Sequence, residues 1–405
     1  MIITGIIAEY NPFHNGHLFH LRKTREKTNP DLVIAIMSGN FVQRGEPAIF
    51  DKWTRTKLAL INGVDIVIEL PTIYATSSSE NFANGSILAL KAIKANNFVF
   101  GSESNNISNL REIAEISHSE SSQFKKVLRK YLNQGLSYPQ AYQETFNELH
   151  PELVNELNKS NNILGISYLE ALLTKNLDIK AYSVKRIGND YHDTTLKGIA
   201  SATAIRKKIE DYDNIKNTIP SKAARVLKNH INKGYYLNLN DFSNTFFCLL
   251  KRATYGQLER LPEIEIGMVE LLKNQAYSHK AISDFIDGCT SRRYTTSRIQ
   301  RLLIRLLLNI DKNLYHSSLG QKDLPYIRIL GMNVSKSKMI KQWQESLDVP
   351  IIQKTSIFNP ENNFSKLSWE LDLRATDIYF DQHKNEKLKL SRQDFTHPIV
   401  VIKKS

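Results

Sequence analysis

Two histidines three residues apart, placed directly after an apolar run, are where the chemistry of this chain concentrates. The run Ile2-Ile3-Thr4-Gly5-Ile6-Ile7-Ala8 has no polar alternation, as a strand buried on both faces requires. It leads through Glu9-Tyr10-Asn11-Pro12-Phe13 into His14-Asn15-Gly16-His17-Leu18-Phe19-His20. Open α/β sheets bind ligands where their strands end, at the carboxyl edge. Asn11-Pro12 forces a turn there, and Gly16 lets a helix begin close against a bound group. His14 and His17 then project from one side of the first helical turn. Two imidazoles beside the positive end of a helix suit phosphate oxygens and the charge that develops on a departing pyrophosphate. Two other readings stay open for these rings. His14, His17 and His20 could ligate a metal, although no carboxylate of matching spacing assists, or they could be ordinary core or surface histidines.

A second cluster is Ser201-Ala202-Thr203-Ala204-Ile205-Arg206. Small hydroxyls at Ser201 and Thr203 cap a helix, and Arg206 on its first turns can grip phosphate. Arg44, Asp51, Lys52 and Arg55 are further candidates for phosphate or substrate contact, with a solvated helix face as the alternative. Asp190, His192 and Asp193 could hold a magnesium ion, or simply form a polar turn.

These residues need a scaffold, and the first hundred positions supply one. Apolar runs at Leu32–Met37, Val64–Leu70 and Phe98–Gly101 alternate with helical periodicity through about Lys27, over Asp51–Ile61 and over Asn81–Ala95. That pattern predicts a parallel, doubly wound α/β sheet. Residues 108–175 read as helical, 178–187 as a strand, and 214–309 as helix-rich. The last part returns to α/β character, with strands at Tyr326–Leu330 and Val349–Ile352. The expected organisation is a nucleotide-binding catalytic domain over 1–210, a helical basic region over 211–310 and a small α/β domain over 311–405.

Of 405 residues, 41% are apolar and 23% charged, the balance of a globular protein. No stretch approaches the roughly 20 apolar residues that span a bilayer. The apolar start is too short for a signal peptide, so no membrane association is expected and the cytoplasm is the expected compartment. Cys248 and Cys289 lie far apart and offer neither a disulfide framework nor a cysteine zinc site. The net charge of +13 is uneven: residues 1–200 carry 21 Lys/Arg against 20 Asp/Glu, whereas 201–405 carry 33 against 21. A basic half joined to a neutral half suggests a polyanion held by one part and chemistry done by the other.

His14-Asn15-Gly16-His17 after a first strand is similar to the HxGH signature of the nucleotidyltransferase superfamily. Ser201 through Arg206 resembles that superfamily's second signature, a Ser/Thr-rich helix start ending in Arg. The likeness goes further. Gly5 through His20, Met37 through Ala48, Asp51 through Arg55, Asn161 through Gly165 and Lys185 through Gly188 resemble the bacterial tRNA(Met) cytidine acetate ligase family. Beyond about residue 210 the resemblance rests on length and charge. It implies an enzyme that activates acetate with ATP to acetyl-adenylate, then acetylates the N4 amine of the wobble cytidine of elongator tRNA(Met). It also implies that Ile7 through His20, Gly101, Asn161 or Asn162, Arg186 and Ile187 surround ATP, with Mg2+ on the nucleotide. Pyrophosphate would then leave toward His14, His17 and Arg206, with Ser201 and Thr203 beside it. No residue pattern identifies the acetate pocket.

On that reading the RNA needs a surface in the basic half. Arg298, Arg301 and Arg305 fall at i, i+3 and i+7 of an amphipathic helix, extended by Arg292, Arg293 and Tyr294, and such a stripe suits an RNA backbone. Three alternatives remain: an adenylyltransferase acting on a phosphorylated small molecule, an acetate ligase acting on a protein-bound thiol as in citrate lyase activation, and a non-enzymatic RNA-binding module.

Overall fold

The computed structural model describes residues 1–186, 198 and 200–403. Strand and helix alternate first: β1 (Ile3–Ala8), α1 (Asn15–Thr28), β2 (Leu32–Ser38), a hairpin of β3 (Phe41–Val42) and β4 (Glu46–Pro47), α2 (Lys52–Ile61), β5 (Ile66–Leu70), α3 (Thr72–Ala75), α4 (Ser79–Ala92) and β6 (Asn97–Ser102). Helices α5 (Ile107–Ser119), α6 (Ser122–Asn133), α7 (Tyr138–Leu149), α8 (Val154–Leu157) and α9 (Ser160–Thr174) precede β7 (Lys180–Lys185). A long helical stretch follows: α10 (Ala202–Lys207), α11 (Tyr212–Ile215), α12 (Ser221–Asn232), α13 (Ser243–Arg252), α14 (Tyr255–Glu259), α15 (Met268–Ser278), α16 (Ile282–Cys289), α17 (Thr296–Leu307) and α18 (Lys312–Leu319). It leads to β8 (Ile327–Asn333), α19 (Ser337–Glu345), β9 (Ile351–Ile352), α20 (Asn363–Asp381), α21 (Gln393–Thr396) and β10 (Val400–Ile402).

The sheet has eight strands in the order β10-β8-β5-β2-β1-β6-β7, with β9 beside β8. From β5 to β7 every pairing is parallel, as the buried apolar runs predicted. The chain winds from β1 outward through β2 to β5, then restarts on the other side of β1 with β6 and β7. The carboxyl ends of β1 and β6 therefore flank the point where strand order reverses, which opens a crevice for a ligand.

The expected separate α/β domain over 311–405 is not what forms. Strand β8 pairs antiparallel with β5, from Ile66↔Met332 to Glu69↔Arg328, and β10 pairs parallel with β8. The reason lies in β5, which is buried along its whole length. Left as an edge it would expose unpaired N–H and C=O groups beside an apolar surface. One continuous apolar core also takes in Ile36 of β2, Phe246 of α13, Leu302 of α17 and Trp343 of α19, so the helical region 211–310 shares its core with the sheet. The β3–β4 hairpin, two residues a side, is too short to leave a periodic signal in sequence.

Lys52 and Arg55 overturn the solvated-face reading of α2, since neither is exposed. Asp51 caps the helix through the Thr54 N–H at 2.9 Å. Lys52 Nζ lies 3.0 Å from Glu69 and 2.8 Å from Asp394, and Arg328 lies 2.6 Å from Asp394 and 3.2 Å from Glu69. Two cations and two carboxylates thus form a buried quartet that joins α2, β5, β8 and the C-terminal segment. Removing one member leaves an uncompensated charge, which costs roughly 3–5 kcal/mol. Lys52→Met is therefore expected to lower unfolding free energy by that amount in urea titration, a large share of the stability of most folds.

Candidate active site at the end of the first strand

The turn after β1 is shaped by rings. Tyr10 takes a left-handed backbone (φ 46), which costs an L-residue about 1 kcal/mol. Its buried ring offsets this by packing on Phe13 at 4.8 Å and edge-on to His17 at 5.1 Å. His14 is the N-cap of α1, and its Nδ1 accepts the Gly16 N–H at 3.0 Å. In return the His14 backbone N–H donates to His17 Nδ1 at 3.3 Å. Two imidazoles thus build a reciprocal capping box, a task usually given to Ser or Thr with Glu or Gln. Their ring centroids lie 3.9 Å apart.

Because both Nδ1 atoms accept, the proton of each neutral ring sits on Nε2. Neutrality is enforced. Burial first, then the charges of Arg186 and Arg206, push the His14 pKa down to about 3. Burial, His14 and Arg186 hold His17 well below its ordinary value. Burial and Arg186 bring His20 to about 4, against a hydrogen bond to the Phe100 carbonyl of β6. Among the described residues, His14 Nε2 and His20 Nε2 are buried without a partner. The first is a free hydrogen-bond donor among them. The metal reading loses its footing, since the Nδ1 lone pairs of His14 and His17 are already taken. Among the described residues no group of three or more His, Cys, Asp or Glu could hold a metal ion.

Cations close the other side. The N-cap Ser201 accepts the Ala204 N–H at 3.2 Å and starts α10. Arg206 then reaches the Asn11 carbonyl (3.1 Å), Glu46 (3.3 Å) and Thr203 Oγ1 (3.4 Å). At the end of β6, Gly101 lies under Arg186, where an added Cβ would come within 3.1 Å of Arg186 Cγ. Asn161 Oδ1 accepts from Arg186 at 2.9 Å. Asn162 is fully buried: its Oδ1 accepts from Ser102 Oγ and the Glu103 N–H, while its amide donates to Glu156 and Ser104. Of the asparagine pair, Asn161 faces the arginine and Asn162 clamps the strand end. The amide of Asn15 holds the Asn217 carbonyl at 2.9 Å, tying the start of α1 to the segment after α10. Ile187, expected at this site, lies outside the described residues, as do Asp190, His192 and Asp193.

This arrangement matches known proteins along the whole chain. The family model for HIGH Nucleotidyl Transferase covers residues 1–394. The tRNA(Met) cytidine acetate ligase of Thermoanaerobacter pseudethanolicus is 39% identical, over 99% of this chain and 100% of that one. The ligase of the same name from Clostridium novyi is 40% identical over 94% and 95%. The chain belongs to the tRNA(Met) cytidine acetate ligase family. The crystal structure of Thermotoga maritima TmcAL bound with alpha-thio ATP covers 100% of both chains, with a TM-score of 0.92 at 29% identity. The apo form of TmcAL gives 0.93 at 30%.

Within this tRNA(Met) cytidine acetate ligase family member, Arg55 lies beneath the site. Its Nε donates to the Phe50 carbonyl (2.9 Å), its Nη1 to those of Glu9 (2.7 Å) and Ser38 (3.0 Å), and its Nη2 to that of Gly39. It holds the ends of β1 and β2 together rather than contacting a ligand. Glu9, on that floor, accepts the Gln43 N–H at 3.0 Å, and burial raises its carboxyl pKa. Ile7, Ala8, Leu18 and Phe19 are half-buried around the turn, and Pro12 and Phe13 fill its interior.

The expected open stripe on α17 needs correction. Arg305 is buried against Glu263 (3.1 Å) and the Pro262 carbonyl (3.0 Å), and Arg301 lies 3.6 Å from the same carboxylate. Arg298 pairs with Glu265 at 2.8 Å. The segment 261–265 packs along the arginine row and engages it through Glu263 and Glu265, and the arginines pull the Glu263 pKa down to about 2 despite its burial. Helical spacing put the arginines on one face but could not tell whether that face meets water. Arg292 and Arg293 remain exposed, although Arg293 also reaches Glu265.

Buried neutral histidines make stability pH-dependent with a definite sign. In the unfolded chain His14 and His20 bind protons near pH 6.5, whereas in the folded chain they wait until about 3 and 4. Their contribution is full above pH 6.5 and drains away as pH falls below it. Melting temperature is thus expected to drop on acidification from pH 7 to 5, with a shallower slope in His20→Asn. An unchanged slope would mean that His20 titrates normally.

Proposed function

We propose that the chain is an ATP-dependent acetate ligase that forms acetyl-adenylate and acetylates the N4 amine of the wobble cytidine of elongator tRNA(Met). The observation that carries this reading is the Nε2–H of His14, unpartnered among the described residues and flanked by Arg186 and Arg206 at the crevice where strand order reverses. Family membership supplies the substrates.

ATP would lie across the ends of β1 and β6, over Gly101 and beside Asn161. An acetate oxygen attacks the α-phosphorus, and the bond to pyrophosphate breaks in line. The leaving group departs toward His14 and Arg206. A neutral imidazole can fill this role, since its Nε2–H donates a hydrogen bond to growing negative charge. His17 shapes the turn through its bond to the His14 N–H. The cytidine N4 then attacks the acetyl carbon, AMP leaves and the amine loses a proton. Magnesium would arrive on the triphosphate, where it neutralises charge; the described residues include no cage for it. No helix of the described residues is long and apolar enough to cross a membrane, and an enzyme acting on tRNA would work in the cytoplasm.

Purified protein is expected to exchange labelled pyrophosphate into ATP only when acetate is present, and to produce N4-acetylcytidine in tRNA by nucleoside mass spectrometry. His14→Ala should slow exchange on the order of 10²-fold while changing ATP affinity far less. Exchange without acetate would favour a small-molecule adenylyltransferase, and acetylation of a protein thiol would favour the citrate lyase type of ligase. For the RNA, Arg292→Glu with Arg293→Glu should weaken tRNA binding and its salt dependence and spare exchange. Unchanged acetylation by that double variant would move the RNA elsewhere.

A further inference from the structure

Arg206 comes from α10, a six-residue helix. Beside its contact to Thr203 Oγ1 in the same helix, its guanidinium is oriented by two contacts from elsewhere. One is the Asn11 carbonyl of the histidine turn, and the other is the Glu46 carboxylate of the β3–β4 hairpin. Glu46 is the one charged partner among the described residues, through Oε2. Its second oxygen, Oε1, accepts from Gln300 Nε2 on α17 at 3.2 Å. The hairpin itself is seated on α17. Gly45 has φ +80, and a Cβ there would come within 2.3 Å of the Arg301 backbone nitrogen, so no side chain can intervene.

We propose that Glu46 is a positioning residue for adenylyl transfer, aiming Arg206 at the triphosphate, and that Gln300 on α17 holds Glu46 in place. The chain of contacts runs Gln300–Glu46–Arg206, over 254 positions of sequence between the outer pair of the first link. The Glu46–Arg206 pair is partly exposed, and such pairs add little to stability. Its value is geometric. A carboxylate on one edge of a guanidinium fixes the plane and leaves other N–H donors for phosphate. Without Glu46 the side chain can swing away from the turn, and loss of alignment costs rate more than binding. The helix expected from sequence to grip RNA by its arginines thus acts at the nucleotide site through its glutamine.

This inference rests on the reading of Arg206 as a triphosphate ligand, and a double-mutant cycle separates the two. Acetate-dependent pyrophosphate exchange gives turnover, and calorimetry gives ATP affinity, for Glu46→Gln, Gln300→Ala, Arg206→Ala and the Glu46→Gln, Arg206→Ala pair. Glu46→Gln is expected to lower turnover about tenfold with ATP affinity nearly unchanged, and Gln300→Ala to lower it less in the same direction. Once Arg206 is gone, Glu46→Gln should add nothing. Additive losses, or normal turnover in both Glu46→Gln and Gln300→Ala beside an impaired Arg206→Ala, would overturn the positioning role alone. Full exchange by Arg206→Ala would overturn the triphosphate reading and this inference with it. Should Glu46→Gln fail to fold, Gln300→Ala, which leaves the carboxylate in place, carries the same turnover-against-affinity comparison.

Discussion

A guanidinium satisfied by carbonyls holds the floor of the site. Arg55 is buried, and its bonds to the carbonyls of Glu9, Ser38, Gly39 and Phe50 bring the ends of β1, β2 and the segment before α2 to one point. Among the described residues no carboxylate pairs with it. A fork of five N–H donors is the side chain able to bridge so many backbone acceptors at once. Its charge is shared out over peptide dipoles and stays positive beneath a crevice suited to anions. The left-handed Tyr10, the histidine caps and the hairpin all start from strand ends that this one side chain gathers.

Above that floor the site divides its labour between neutral and charged donors. The histidines sit within the field of Arg186 and Arg206, which together with burial keeps them uncharged. Charged imidazoles there would repel the arginines and cost desolvation. Neutral rings can instead be packed against each other at 3.9 Å and serve as caps. The formal positive charge at the crevice comes from the arginines, which stand on separate elements and are held by Asn161 and Glu46.

The arginines that stand out in the basic second half are the ones its own carboxylates engage, while that half's excess of positive charge is carried by other residues. Arg298, Arg301 and Arg305 answer Glu263 and Glu265, and Arg328 answers Glu69 and Asp394. These pairs lie where α17 meets the loop before it and where β8 meets β5. Net charge by half of the sequence therefore does not tell which arginines face solvent. An ion pair removes two charges from the surface and leaves the formal count untouched.

The order of β1, β2, β5 and β6, the helix after the first turn and the two signatures were all legible in the chain itself. Each rests on local patterns: unbroken apolar runs for strands buried on both faces, and a turn followed by a helix start for the histidines. What needed tertiary structure was every question of partner. Lys52 and Arg55 look like a polar helix face until the C-terminal segment pairs with the first and the ends of β1 and β2 enclose the second. Strand β8 looks like the start of a new domain until β5 needs an edge partner. Asn161 and Asn162 are equivalent in sequence and opposite in role. Spacing along a chain sets which side chains share a face, because that depends on local backbone geometry alone. Whether that face meets solvent, a carboxylate or a neighbouring strand depends on residues hundreds of positions away, as Gln300 on Glu46 illustrates.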